Sequence, residues 1–209
     1  VNIVTEEVIS LLAESGCYEV TFGVEAGGED FRKKVLKRRQ SDKKIEEAFM
    51  MCARHGITTR ANMMVGLPYE TPGNVLQGIR LCSRLKAKFF LVSTFFPTPA
   101  TELYDICIKE GYIDQNREIP DAPYSMNTAL VQPSIRAEQV EFYRLWYVAL
   151  TRFYSLIPEA AHTWLDKTLS SGYFPYAAMI KAAKTFLELH KKWWRLMFKF
   201  NIKHYRYRA

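Results

Sequence analysis

Three glycine- or proline-rich turns hold the residues of this chain best suited to chemistry. They are Gly23-Val24-Glu25-Ala26-Gly27-Gly28, Gly66-Leu67-Pro68-Tyr69-Glu70-Thr71-Pro72 and Phe96-Pro97-Thr98-Pro99-Ala100-Thr101-Glu102-Leu103. Glycine lets a ligand approach the backbone closely, and proline fixes a turn while leaving carbonyls free. Each turn follows a run of strand character, and in α/β folds ligands collect at the carboxyl ends of parallel strands. Alternation puts Thr21, Gly23 and Glu25 on one face of the first run, and Asn62, Met64 and Gly66 on one face of the second. These are the smaller or more polar faces, so they are expected to point into the lumen of a barrel, with Glu25 and Asn62 at its mouth. A carboxylate and an amide there can accept and donate hydrogen bonds to a ribose diol. The competing reading has Glu25 capping a helix or pairing with a nearby Lys.

Other chemistries lack their parts. Neither glycine cluster has the Gly-x-Gly-x-x-Gly order or a following Lys-Ser/Thr, which disfavours a phosphate cradle. His55, His162, His190 and His204 are scattered, without a ligand or triad partner at useful spacing. There is no Gly-x-Ser-x-Gly and no His-Glu-x-x-His. Cys17, Cys52, Cys82 and Cys107 lie far apart, without the close spacing of a zinc or iron–sulfur site. They read as buried free thiols in a reducing cytoplasm. No catalytic side chain and no metal ligand is assigned.

The positioning elements alternate over the first 110 residues. Thr5 is placed to cap a helix with the stripe Val8, Leu11 and Leu12, stopped at Gly16. A strand through Tyr18, Val20, Phe22 and Val24 follows, then a short helix carrying Phe31, Val35 and Leu36. Ser41 opens a helix with Ile45, Ala48, Phe49 and Cys52 at helical spacing. The second strand runs from Thr58 to Val65, and Pro72 opens the next helix. The third strand, Phe89 to Phe96, is apolar on both faces and is expected to be buried on both. Connections of this length suit parallel pairing through right-handed crossovers. Residues 114–135, broken by Pro120, Pro123 and Pro133, read as a linker or crossing loop. Beyond them the pattern is helical, with helices around Val140–Phe153, around Ala161–Leu169, and from Tyr176 onward. The expected domains are thus 1–113, the loop 114–135, and a helical region 136–209. Three parallel strands cannot close a barrel, and by themselves they imply a ligand-binding α/β half-barrel.

The composition suits a soluble globular protein: 209 residues, 48% hydrophobic, 24% charged. No apolar run approaches the roughly 20 residues that span a bilayer. The net charge is +7, and it is localised. After the last acid, Glu188, come Lys191, Lys192, Arg195, Lys199, Lys203, Arg206 and Arg208, so residues 1–189 are neutral on balance.

Several motifs occur in a familiar order: Phe22-Gly-Val-Glu-Ala-Gly; Val35-Leu-Lys-Arg38; Asn62-Met-Met-Val-Gly-Leu-Pro-Tyr-Glu-Thr71; Phe96-Pro-Thr-Pro-Ala-Thr-Glu-Leu-Tyr104; and Glu110-Gly-Tyr-Ile113. Together they resemble the radical S-adenosylmethionine (radical SAM) superfamily, most closely the subgroup that carries a cobalamin-binding domain. The resemblance implies the C-terminal half of a partial (β/α)6 TIM-like barrel over residues 1–113. It implies SAM-binding roles for Glu25 (ribose), Arg38 (methionyl carboxylate), Asn62 (ribose) and the turn Gly66, Leu67 and Pro68 (adenine). Tyr69 and Ala100 stand where that family commonly has glycine. A [4Fe–4S] cluster and cobalamin are implied for the intact protein alone, because this chain has no Cys-x-x-x-Cys-x-x-Cys loop. The expected partner is therefore the upstream half of the same enzyme, without which the chain is catalytically inert; its small-molecule substrate is not specified. The missing initiator Met suggests a processed product or a piece of something longer.

From Lys191 the sequence interleaves cations with Trp193, Trp194, Phe198, Phe200, Tyr205 and Tyr207. Three readings stay open for residues 191–209: a C-terminal helix packed on the half-barrel, a segment on an anionic membrane surface, and a nucleic-acid contact, the least favoured. The alternative to an enzyme piece is a non-catalytic binding module that retains the half-barrel, associated with a membrane surface. The expected location is cytoplasmic, with a peripheral membrane association under that reading.

Overall fold

In a computed structural model, residues 4–113 and 128–205 are described, with side chains through residue 192. The chain divides into two compact units, Val1–Phe174 and Pro175–Ala209. In the first, β1 (Glu19–Glu25), β2 (Thr58–Val65) and β3 (Phe89–Thr94) form one parallel sheet in the order β1-β2-β3. Helix α1 (Glu6–Glu14) precedes β1, and α2 (Glu29–Val35) and α3 (Asp42–Arg54) connect β1 to β2. Helix α4 (Pro72–Arg84) connects β2 to β3, and α5 (Glu102–Lys109), α6 (Ala137–Tyr154) and α7 (Glu159–Ser170) follow. This is the expected α/β arrangement, three parallel strands with flanking helices and then a helical region, consistent with a partial barrel. The second unit is the helix α8 (Tyr176–Tyr205) with its flanks.

The helix starts are set locally. The side chains of Thr5, Ser41, Thr71 and Thr101 each accept a backbone N–H from the first turn of the helix they precede. A cap of this kind is worth about 1 kcal/mol. At α4, Thr71 and Asn74 cap reciprocally, and Pro72 occupies the first turn, where its missing N–H costs nothing.

The two faces of the sheet differ. On one, Phe22, Val24, Ala61, Met63 and Val65 are buried. Helix α3 packs there, with the Phe22 and Phe49 rings 4.9 Å apart. Helix α6 packs on β2, β3 and α4, and its Arg152 lies over the Phe90 ring. The opposite face carries Thr21, Gly23, Arg60, Asn62, Phe89, Leu91 and Ser93 by register. There Phe89 is 43% and Leu91 54% exposed. This corrects the expectation that β3 is buried on both faces. A strand's pattern reports the apolarity of each face, not what lies opposite it.

Past the strand ends an apolar cluster closes the first unit from above: Ala26, Phe31, Leu67, Phe95, Cys107, Tyr112, Ile113 and Leu130. Of the expected loop 114–135, residues 114–127 lie outside the described residues. In the remainder, Leu130 and Ile135 are buried and Gln132 bridges to Ile135. No helix among the described residues is long and apolar enough to cross a membrane.

Candidate functional site

The end of β1 is irregular. Gly23 lies opposite Asn62, but Glu25 lies opposite Met63, so one extra residue, Val24, bulges the strand. A bulge bends a strand and re-aims its side chains. Glu25 adopts a φ of 75°, a left-handed conformation that costs a non-glycine residue about 1 kcal/mol. Its carboxylate turns back over Gly23, where a Cβ would lie 2.3 Å from Oε1. Only glycine at position 23 leaves that room.

Arg38 holds the arrangement from the side. Its Nη1 donates to the Gly23 carbonyl at 3.0 Å, and its Nη2 to Glu25 Oε1 at 3.2 Å. Burial pushes the Glu25 carboxyl above its usual range, and the Arg38 charge partly opposes this. The alternative reading of Glu25 as one half of an ion pair is thus realised, with an arginine in place of the lysine. Both members are candidate ligand contacts, and Arg38 keeps 41% of its side chain exposed. Asn62, the ladder neighbour of Gly23, completes the group on the same face. Its Oδ1 is buried without a hydrogen-bond partner, a state that costs about 1–3 kcal/mol unless a donor arrives. Glu25, Arg38 and Asn62 therefore gather on the open face of the sheet, at the carboxyl ends of adjacent parallel strands.

The turn after β2 is clamped from two sides. Glu70, fully buried, accepts the Gly66 N–H at 2.6 Å and the Leu67 N–H at 3.2 Å through Oε2. Its Oε1 has no partner, and burial pushes the carboxyl up to about 8 against the pull of those two N–H groups. Gln132 supplies the second clamp: its Nε2 donates to the Leu67 carbonyl and its Oε1 accepts the Tyr69 N–H, both at 2.9 Å. Leu67 and Pro68 are buried. The Gly66 and Leu67 donors are thus committed internally, and the turn offers a ligand a fixed shape rather than those two N–H groups. Tyr69 and Ala100, the two places where the resembling family commonly has glycine, have φ of 62° and 64°. The left-handed turns persist without the residue that adopts them most cheaply.

Sequence reasoning missed three residues here. Glu70 carries a local signal, a carboxylate four residues after a turn glycine and just before a helix cap. Gln132 has none, since its partners lie 63 and 65 residues away. Arg32, 1% exposed, ties the start of α2 to its surroundings by donating to the Ala26 and Gln40 carbonyls and pairing with Asp42. It sits in a run of cations that reads as a solvated face.

The cysteines are all free thiols, as expected; Cys52, Cys82 and Cys107 are buried, whereas Cys17 is partly exposed. Burial pushes Cys82 up to about 12 and Cys107 to about 11. Among the described residues no group of three or more His, Cys, Asp and Glu is placed to hold a metal ion.

Comparison with known proteins bears on residues of this site. The family model described as Radical SAM superfamily matches residues 2–82, a span that includes all six candidate contacts and ends before β3. Among curated proteins, cytidylyl-2-hydroxyethylphosphonate methyltransferase of Streptomyces wedmorensis is 26% identical over 124 residues. The aligned part is 54% of this chain and 22% of that enzyme, so the chain spans about a fifth of the relative's length.

Proposed function

We propose that this chain contributes the second half of a radical SAM barrel, and that its open sheet face forms part of the SAM pocket. The observation that carries the reading is Asn62 Oδ1, buried and unpartnered beside the Glu25–Arg38 pair. A ribose diol supplies the missing donor, and Glu25 accepts the second hydroxyl. Arg38 fixes the Glu25 carboxylate through its bond to Oε1 and turns its exposed edge toward an amino-acid carboxylate, for which a planar fork suits better than an ammonium. The clamped Gly66–Tyr69 turn gives the adenine a rigid wall. Bound SAM would supply radical chemistry once an electron reached its sulfonium, and this sequence has no Cys-x-x-x-Cys-x-x-Cys loop to hold the cluster that delivers it.

The cluster thiolates must therefore come from a segment outside this sequence. Among the described residues no strand pairs with the outer edge of β1. That edge, with the exposed Phe89 and Leu91, suits such a partner, which would extend the sheet and cover its open face. The intact protein is read as cobalamin-carrying on the order of its motifs, with a small-molecule substrate. The match to a methyltransferase favours methyl transfer as the reaction class.

The test is SAM binding by the protein carrying its cluster segment, measured by equilibrium dialysis with Glu25→Ala, Asn62→Ala and Arg38→Lys. Each variant is expected to weaken binding by about 1–3 kcal/mol. Wild-type affinity in all three would remove this face from the pocket.

A further inference from the structure

Helix α8 offers a second surface. It runs for 30 residues, Tyr176–Tyr205, about 45 Å at 1.5 Å per residue. Every residue from Lys184 to Lys192 is exposed, among them Phe186 at 67% and Leu189 at 60%. Successive helical positions are about 100° apart. At that spacing every charged residue from Lys181 to Lys203, seven cations and Glu188, falls within an arc of about 120°. The remaining arc carries Phe186, Leu187, Leu189, Trp193 and Trp194, with His190 and Asn201 as its polar members, while Ile180 in the same arc is buried.

We infer that α8 lies in the interface of an anionic lipid bilayer, parallel to its plane, with the apolar arc toward the acyl chains and the cations at the headgroups. The pattern selects this partner over the others. A nucleic acid would neutralise the cations and leave the broad apolar arc in water. A second copy of the helix would need a narrow apolar seam, and here about two-thirds of the circumference lacks charge. A bilayer surface takes both arcs at once: the apolar one by burial, the basic one by attraction to anionic lipid. The charges prevent the helix from crossing instead, and it has no window apolar enough to do so among the described residues.

The experiment is co-sedimentation of the full chain with vesicles of phosphatidylcholine alone or with about 30 mol% phosphatidylglycerol. The anionic vesicles are expected to bind at least about tenfold more tightly, with binding reduced at high salt. Changing Lys184, Lys191 and Lys192 together to Gln should weaken binding roughly a hundredfold. Phe186→Ser with Leu189→Ser should weaken it about tenfold or more while leaving the salt dependence in place. Both sets of changes lie on exposed positions, and circular dichroism checks that the helix persists. Equal binding to the two vesicle types, no binding to either, or an unchanged affinity in the triple Gln variant would overturn the inference. So would salt-sensitive binding to an oligonucleotide, or dimerisation through α8, without vesicle binding.

Discussion

Replacing Glu70 by Gln should flatten the pH dependence of stability. The Glu70 carboxyl is fully buried and pushed up to about 8, from an ordinary value of 4.5. Between those values the folded protein holds a proton that the unfolded chain has released. Stability therefore falls as pH rises, from full strength below about 4.5 to a floor above about 8. Each pH step inside that window costs about 1.4 kcal/mol, so the span from pH 5 to pH 7 costs about 2–3 kcal/mol. The substituted amide would stay neutral, and its carbonyl could still accept the Gly66 and Leu67 N–H groups. The assay is urea unfolding of both proteins at pH 5, 6, 7 and 8, read as the difference between them at each pH, which cancels the other titrating groups. Wild type should lose ground steadily against the variant. Parallel curves would refute the reasoning, because they would mean that Glu70 is ionised in the folded protein throughout.

Removing the second clamp should also register. Gln132→Leu leaves the Leu67 carbonyl and the Tyr69 N–H unpaired and should cost about 2–3 kcal/mol in chemical unfolding; a loss below about 0.5 would mean that water replaces the amide. Gly27→Ala should destabilise by about 3 kcal/mol or more, because its Cβ would fall 1.9 Å from the Gly78 nitrogen in α4; a normal thermal midpoint would contradict that packing. Gly23→Ala should behave differently, since its Cβ meets only the end of the Glu25 side chain and the Arg38 tip. The chain should keep its fold, and the loss should appear in SAM affinity once the protein carries its cluster segment.

The sequence made the scaffold legible where local rules decide. Thr5 and Ser41 start helices as their side chains dictate, Pro72 opens α4, and β2 begins and ends where alternation puts it. It failed where the outcome depends on the opposite wall. Phe89 and Leu91 look like core residues and face an open side, because apolarity is a property of the strand and burial of its neighbours. Helix α5 does not stand out behind Pro97 and Pro99, although Thr101 caps it as the other threonines do. Within the candidate site, parity puts Gly23 and Asn62 on the open face. Glu25 reaches that face through a bulge that no residue type marks. The Gln132 clamp was out of reach because its partners are far along the chain.

The contact between Gly27 and Gly78 limits how this protein can move. Helix α4 meets the turn after β1 backbone against backbone, and the Tyr147 hydroxyl would lie 2.7 Å from any Cβ placed at Gly78. With that little clearance the helix cannot slide along its axis or roll without parting the two main chains. The turn carrying Ala26 is therefore held to α4 as one rigid piece.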